Sequence, residues 1–373
     1  MNVQKTVLDR YSEGAKEVQS ALCCPVAYDA GLLALLPKEI VEKDYGCGDP
    51  SRYVRAGDVV LDLGSGSGKI CYMAAQLTGP SGFVIGVDMN DDMLALAGKY
   101  QAEMASKLGG QRVRFAKGHI QDLALDLRAL GEYLATHPVR THDDLNALRA
   151  WEDVQRRERP LIADHSVDLV ISNCVLNLVA ESDKRQLVSE IYRVLKPGGR
   201  IAISDIVSDE VVPESLKKNS ELWSGCISGA FQEQAFLEEF AAIGFQAVSY
   251  DKWDAKPWRV VDGIEFRSVT LTGVKAAVTP RTDLGHAVMY RGPFQSVTDD
   301  LGEVYPRGQR MAVCARTFEF LTQGPLRDNF IGIAPGVVRA PAPWGAPPRM
   351  TRPVRESKGA AHSGAACGTA GCC

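Results

Sequence analysis

The chain has 373 residues, 45 % of them hydrophobic and 24 % charged, with a formal net charge of −4. That length suits two domains and a tail, with an ordinary core and no need of staples. The charge gives no sign of a nucleic-acid or anionic-membrane surface, and no apolar run approaches the ~20 residues of a spanning helix.

Residues 1–20 are polar, helical in pattern and charged throughout. With no apolar h-region, a cytoplasmic protein without a secretory signal is expected. Residues 21–50 carry Cys23, Cys24 and Cys47 around a helix-like run from Gly31 to Asp44. Val59 to Leu63 reads as a first strand, followed at once by a glycine loop and a helix through Leu77. Phe83 to Asp88 is a second strand, Met93 to Leu108 a helix, and Val113 to Ala116 a third strand. Residues 123–160 are charged and helical with a break at Pro138, which predicts an inserted lid or surface excursion. Val167 to Ser172 is a fourth strand, Lys184 to Leu195 a helix, and Arg200 to Ser204 a fifth strand. A long helical stretch is expected from Pro213 to Ile243, then two strands near 247–252 and 268–274.

Strands alternating with helices imply right-handed parallel βαβ units. The expected fold is α/β: a doubly wound, seven-stranded, mostly parallel sheet ending in an antiparallel hairpin. The expected division is an N-terminal cap over 1–55, a main domain over 56–278, a small α+β module over 279–333, and a tail over 334–373. Ala, Gly, Pro, Ser and Arg dominate that tail, which predicts disorder.

The strongest local pattern is Val60-Leu61-Asp62-Leu63-Gly64-Ser65-Gly66-Ser67-Gly68. Glycines in such a turn let backbone approach a ligand, and the following helix N-terminus offers free N–H groups. Asp88 ends the second strand, where a carboxylate can accept from both hydroxyls of a ribose. A glycine loop alone does not separate NAD, FAD and S-adenosylmethionine (SAM) sites.

The cysteines number ten: Cys23, Cys24, Cys47, Cys71, Cys174, Cys226 and Cys314, with Cys367, Cys372 and Cys373 crowding the end. The absence of any CxxC pair argues against a zinc ribbon or thioredoxin-like site, and no structural metal is expected. In an open α/β sheet, ligands sit outside the carboxyl ends of the strands. Cys174 closes strand four, Cys47 precedes strand one, and Cys226 follows strand five, so all can reach that edge. From context alone each is either a small buried hydrophobe or a ligand for a soft, thiophilic element.

DLGSGSG with VDMN resembles motifs I and II of class I SAM methyltransferases. The likeness continues through Leu195-Lys196-Pro197-Gly198-Gly199 and through Gly118-His119-Ile120 with Asp122. It implies that SAM lies against Asp62, Gly64, Ser65, Gly66, Gly68, Asp88, Met89, Ile120 and Asn173. The segments YGCG, SNCVLNLV and LWSGCISGA resemble those of arsenite methyltransferases. That resemblance implies that Cys47, Cys174 and Cys226 are the ligands of trivalent arsenic. It also implies a redox relay joined by Cys23 or Cys24 and reset by thioredoxin or glutathione. Arsenite or its thiol conjugates would be the substrate, with no nucleic-acid or membrane partner. Two other functions are open: methylation of an organic O, N or C nucleophile, and metalloid sequestration with vestigial SAM binding.

Overall fold

The computed structural model describes residues 3–17, 19, 26–277, 280–336, 340–345 and 350–357. Cys23, Cys24, Cys367, Cys372 and Cys373 lie outside them. The chain forms two compact units, divided between Ala276 and Ala277.

The first unit opens with α1 (Val3–Lys16), α2 (Ala30–Ala34) and α3 (Lys38–Glu42). The single helix expected over Gly31–Asp44 is split, because Pro37 supplies no N–H and instead starts α3 from the N-cap position. The strand–helix alternation then runs β1 (Val59–Leu63), α4 (Lys69–Thr78), β2 (Phe83–Asp88), α5 (Asp91–Lys99), α6 (Gln101–Lys107) and β3 (Val113–Lys117). Asn90 caps α5 by accepting from the N–H groups of Asp92 and Met93. The inserted segment is a pair of helices, α7 (Leu127–Thr136) and α8 (His142–Glu158), and neither buries a residue. Tyr133 stacks on both His137 and Trp151 to hold the pair together.

The unit continues with β4 (Val167–Asn173), α9 (Lys184–Val194), β5 (Leu195–Ser208), α10 (Glu214–Lys217), α11 (Ser220–Ser224), β6 (Phe231–Gln232), α12 (Glu233–Ile243), β7 (Phe245–Trp253), β8 (Arg259–Val261) and β9 (Ile264–Lys275). The long helix expected over Pro213–Ile243 is therefore three, interrupted by the Gly225–Gly229 turn and by β6. Glycines and a left-handed Cys226 end α11 within its second turn. The Lys196-Pro197-Gly198-Gly199 stretch is carried inside β5 as an irregularity, because the register against β4 shifts between Val167 and Leu169.

The sheet order is β3-β2-β1-β4-β5-β9-β7, with β6 on β5 and β8 on β9. Pairings from β3 to β5 are parallel, while β9 runs antiparallel to β5, β7 and β8. Val60, Leu61, Val170, Ile171 and Ile203 are wholly buried, as expected for strands covered on both faces. The 1–55 segment does not stand apart as a cap domain but belongs to this unit. Among the described residues, no helix is long and apolar enough to cross a membrane.

The second unit holds β10 (Thr282–Asp283), β11 (Ala287–Tyr290), β12 (Ser296–Thr298), β13 (Val304–Pro306), β14 (Arg310–Ala312), α13 (Ala315–Gln323), β15 (Phe330–Ile333) and β16 (Ala342–Pro343). Its core includes Val288, Tyr305, Met311, Val313, Leu321 and Phe330. The tail expected from residue 334 begins too early. β16 pairs with β10, and Arg352, 3 % exposed, forms a 2.7 Å ion pair with Asp283.

Phe231, Phe236, Phe240 and Phe245 form a chain of ring contacts at 5.0–5.6 Å under the β5 end of the sheet. Phe240→Ala should destabilise the first unit by about 3–5 kcal/mol, read from a denaturant midpoint that shifts while activity per folded molecule is retained.

Candidate functional site

A cleft of about 880 Å³ opens at the carboxyl ends of β1, β2 and β4. Gly64, Gly66, Asp88, Met89, Ile120 and Cys174 all contribute to its wall. The glycine turn needs its glycines: Gly66 has φ +50°, and a Cβ built there would meet nothing within 4 Å, so this face is open to a ligand. The Asp88 carboxylate accepts from the N–H of Gly66 at 2.9 Å and from that of Asn90 at 2.9 Å. Burial raises its pKa, and the Asn90 and Gly66 amides oppose that rise. At the far wall, His119 presents a buried Nδ1 with no hydrogen-bond partner among the described residues. An open glycine face, a carboxylate and an orphaned ring nitrogen suit an adenosine-bearing ligand.

Not every residue expected at the cofactor lines the cleft. Asp62 is 2 % exposed, lies outside the cleft wall and accepts from the Cys71 thiol at 3.2 Å. Burial pushes its pKa up to about 8. Ser65 is buried with an unpartnered Oγ, and Gly68 serves as the left-handed N-cap of α4; neither lines the cleft. Asn173 does not line the cleft either. Its Oδ1 accepts from the N–H groups of Cys47 (2.9 Å) and Gly48 (3.0 Å), and its Nδ2 donates to the Gly48 carbonyl (2.9 Å) and to Tyr28 (3.3 Å). The amide thus makes four hydrogen bonds, three to the Tyr45–Gly48 loop and one to Tyr28. A Cβ on Gly46 would fall 2.2 Å from Asn173 Nδ2, which is why the loop carries glycine there.

The Asn173 clasp brings Cys47 to Cys174. One ligand atom from each of Cys47, Cys174 and Asp205 falls within a mutual 4.8 Å. Cys226 joins them: its thiol donates to the Cys174 carbonyl at 3.2 Å. Cys47 and Cys226 are 1 % and 4 % exposed, and Cys174 is half-buried. Hydrogen bonds to Cys226 and to Cys47 push the Cys174 thiol well up, with burial adding to them. Burial is the main cause for Cys47, whose pKa is also raised. Both Cys174 (φ +64°) and Cys226 (φ +62°) adopt the left-handed conformation. That conformation costs a non-glycine residue about 1–3 kcal/mol, and such strain clusters at functional sites.

Sequence reading missed the supports of this cluster. Asp205, on β5, is one of them. It accepts from the N–H groups of Leu176 and Ile206 and from Asn177 Nδ2, and burial pushes its pKa up to about 6. Asn177 also donates to the Ile206 and Cys226 carbonyls, tying the end of β4 to the Cys226 turn. Ser268 donates to the Cys47 carbonyl at 2.5 Å. The ion pair of Lys69 with Asp44, both nearly buried, left no signal beyond a charged residue directly after a glycine loop. Trp223 belongs to the core, and Cys71 and Cys314 are fully buried structural thiols.

Such a sheet, with a glycine turn and a carboxylate at its carboxyl edge, is similar to that of class I SAM-dependent methyltransferases. A methyltransferase-domain family profile matches residues 55–130 and 151–244, skipping most of the α7–α8 pair, and a profile described as a domain of unknown function matches 277–362. Within the family, the likeness is to arsenite methyltransferases. The chain is 29 % identical to that of Aquipseudomonas alcaligenes, over 85 % of this chain and 86 % of the relative. It is 34 % identical to the human arsenite methyltransferase, over 56 % of this chain and 46 % of the relative. The crystal structure of an arsenic(III) SAM methyltransferase from Chlamydomonas reinhardtii is similar at TM-score 0.57 and 28 % identity, covering 87 % of this chain and all of that one.

Two outcomes follow from the geometry. Asn173→Ala leaves buried N–H groups of Cys47 and Gly48 unpaired and should destabilise the protein by roughly 1–3 kcal/mol. SAM binding, followed by calorimetry, should stay within about twofold of wild type, because this amide is not in the cofactor wall. For Asp62, the folded pKa of about 8 lies above its ordinary 3.8, so the unfolded chain holds fewer protons between those values. This group's contribution to stability therefore falls as pH rises from about 4 to 8. Asp62→Asn should flatten that part of a melting-temperature profile measured without cofactor.

Proposed function

We propose that this chain methylates trivalent arsenic held by the thiols of Cys47, Cys174 and Cys226. The single observation that carries the reading is the convergence of sulfurs from three remote segments beside the cleft that suits SAM.

Gly64, Gly66, Asp88, Met89 and Ile120 would hold the cofactor, with His119 at its far end. SAM supplies a methyl carbon already made electrophilic by its sulfonium. The protein's task is to align a nucleophile and exclude water. Arsenic bound by three thiolates keeps a lone pair, so no base is needed to create the nucleophile. Soft thiolates are the ligands such an element prefers. The proton balance of loading also closes: each thiol proton leaves with one hydroxide of arsenous acid as water. The Cys47 and Cys174 thiols, whose pKa values are raised by burial and by neighbouring sulfur, suit that exchange, in which hydroxide departs as sulfur bonds.

Methyl transfer raises arsenic formally to the pentavalent state. Two of the three arsenic-bound sulfurs can return it to the trivalent state by leaving together as a disulfide: two As–S bonds break, one S–S bond forms, the remaining electron pair stays on arsenic, and a fresh thiol fills the opened position with loss of its proton. Cys23 or Cys24 is the proposed additional member of this relay. Thioredoxin or glutathione is the proposed reductant that reopens the disulfide, and the cytosol, where that couple operates, the proposed compartment.

Purified protein given SAM, arsenite and glutathione should release methylated arsenicals, resolved by chromatography with element-specific detection. Cys174→Ser should reduce product by at least about 100-fold while SAM still binds. Normal methylation by the serine variant would show that sulfur at this position is not a ligand.

A further inference from the structure

Helix α1 lies over the cleft and is fastened on both sides. Asn90 Nδ2 donates to the Leu8 carbonyl (3.1 Å) and to Ser12 (3.0 Å), next to the ribose-level carboxylate. Arg10 donates to the Glu221 carbonyl (3.0 Å) and to Ser224 Oγ (2.7 Å), on the helix that leads to Cys226. Tyr45, two residues before Cys47, donates to the Gly14 carbonyl at 3.0 Å. This frame holds the Tyr11 ring edge-on to Tyr45, with centroids 6.1 Å apart.

Tyr11 lines the cleft together with Cys174 and Met89, and packs with Cys47, Cys174 and Cys226 in one cluster. Its phenol lies within electrostatic reach of Cys226, Cys174 and Asp205. Tyr28, Tyr72, Tyr250 and Tyr305 all spend their hydroxyls on protein groups. The Tyr11 hydroxyl has no hydrogen-bond partner among the described residues. A polar group held beside three thiols, and engaged by none of the fold, is available to a ligand of those thiols.

We propose that Tyr11 is a substrate-contacting residue that selects oxygen-bearing arsenic, its hydroxyl donating a hydrogen bond to an arsenic-bound hydroxide while the thiols replace it. This rests on the arsenic-methylation reading. In each exchange an As–O bond breaks and an As–S bond forms. The thiol proton leaves with the hydroxide as water, and the phenol is neither consumed nor oxidised. Its ring closes the pocket against solvent at the same time. Arsenic supplied as a triglutathione conjugate carries no oxygen. Its exchange releases glutathione and gives the Tyr11 hydroxyl nothing to bind.

The test compares wild type and Tyr11→Phe on two donors: arsenous acid with a phosphine reductant, and the preformed triglutathione conjugate. Loading is followed as quenching of tryptophan emission, since Trp223 is packed against Cys226, and turnover is followed by product speciation. The phenylalanine variant removes an oxygen that the fold does not use, and an unchanged melting temperature verifies its integrity. Loading of arsenous acid should slow by about tenfold, the size of one hydrogen bond, with the conjugate within about twofold of wild type. Equal slowing on both donors, or on neither, would overturn the assignment of Tyr11. Failure of wild type to methylate arsenic from either donor would instead overturn the reading on which it rests.

Discussion

The site depends on one side-chain amide. Asn173, at the end of β4, grips the backbone of Cys47 and Gly48 through both of its polar atoms. Without that clasp, the segment before β1 has no reason to sit against the strand that carries Cys174. The two glycines beside Cys47 permit the approach, because a Cβ on Gly46 would overlap Asn173 and one on Gly48 would overlap Ser204. Ser268, from β9, holds the Cys47 carbonyl from the opposite direction. One thiol is thus fixed by three strands of the sheet, which is the rigidity that an ordered ligand set requires.

The other two thiols are fixed by strain rather than by clasp. Left-handed cysteines at 174 and 226 are unusual for residues with a Cβ, and the buried network around Asp205 and Asn177 holds them there. The raised pKa of Cys174 follows from the same crowding, since a thiolate would face the Cys226 and Cys47 sulfurs in a partly buried position. A trivalent soft element relieves that crowding by replacing protons with a shared centre. Sulfur convergence, backbone strain and suppressed ionisation are therefore three expressions of one packing arrangement.

Much of the fold was legible because its signals are local and repeated. Val59–Leu63, Phe83–Asp88 and the glycine turn between them follow from apolar runs and from the backbone freedom of glycine. The positions of Cys47, Cys174 and Cys226 at one sheet edge follow from the rule that strands deliver ligands at their carboxyl ends. What failed depended on side-chain direction. Asp62, Ser65 and Gly68 sit inside the cofactor motif yet do not line the cleft, because Asp62 is engaged by the Cys71 thiol, Ser65 is buried, and Gly68 caps α4. Asn173 follows a strand that ends toward the cofactor, but which way its amide turns is settled by a loop more than a hundred residues upstream. Asp205 and Tyr11 were illegible as neighbours of the thiols for the same reason. Tertiary contacts alone bring them there.

The paired helices between β3 and β4 carry a different kind of consequence. They contribute no residue to the core, yet Arg156 of α8 reaches back 3.0 Å to Asp122, two positions past Ile120 of the cofactor wall. Natural selection can therefore lengthen, shorten or decorate this appendage at almost no thermodynamic penalty, while a single guanidinium keeps it in communication with the nucleoside end of the cleft.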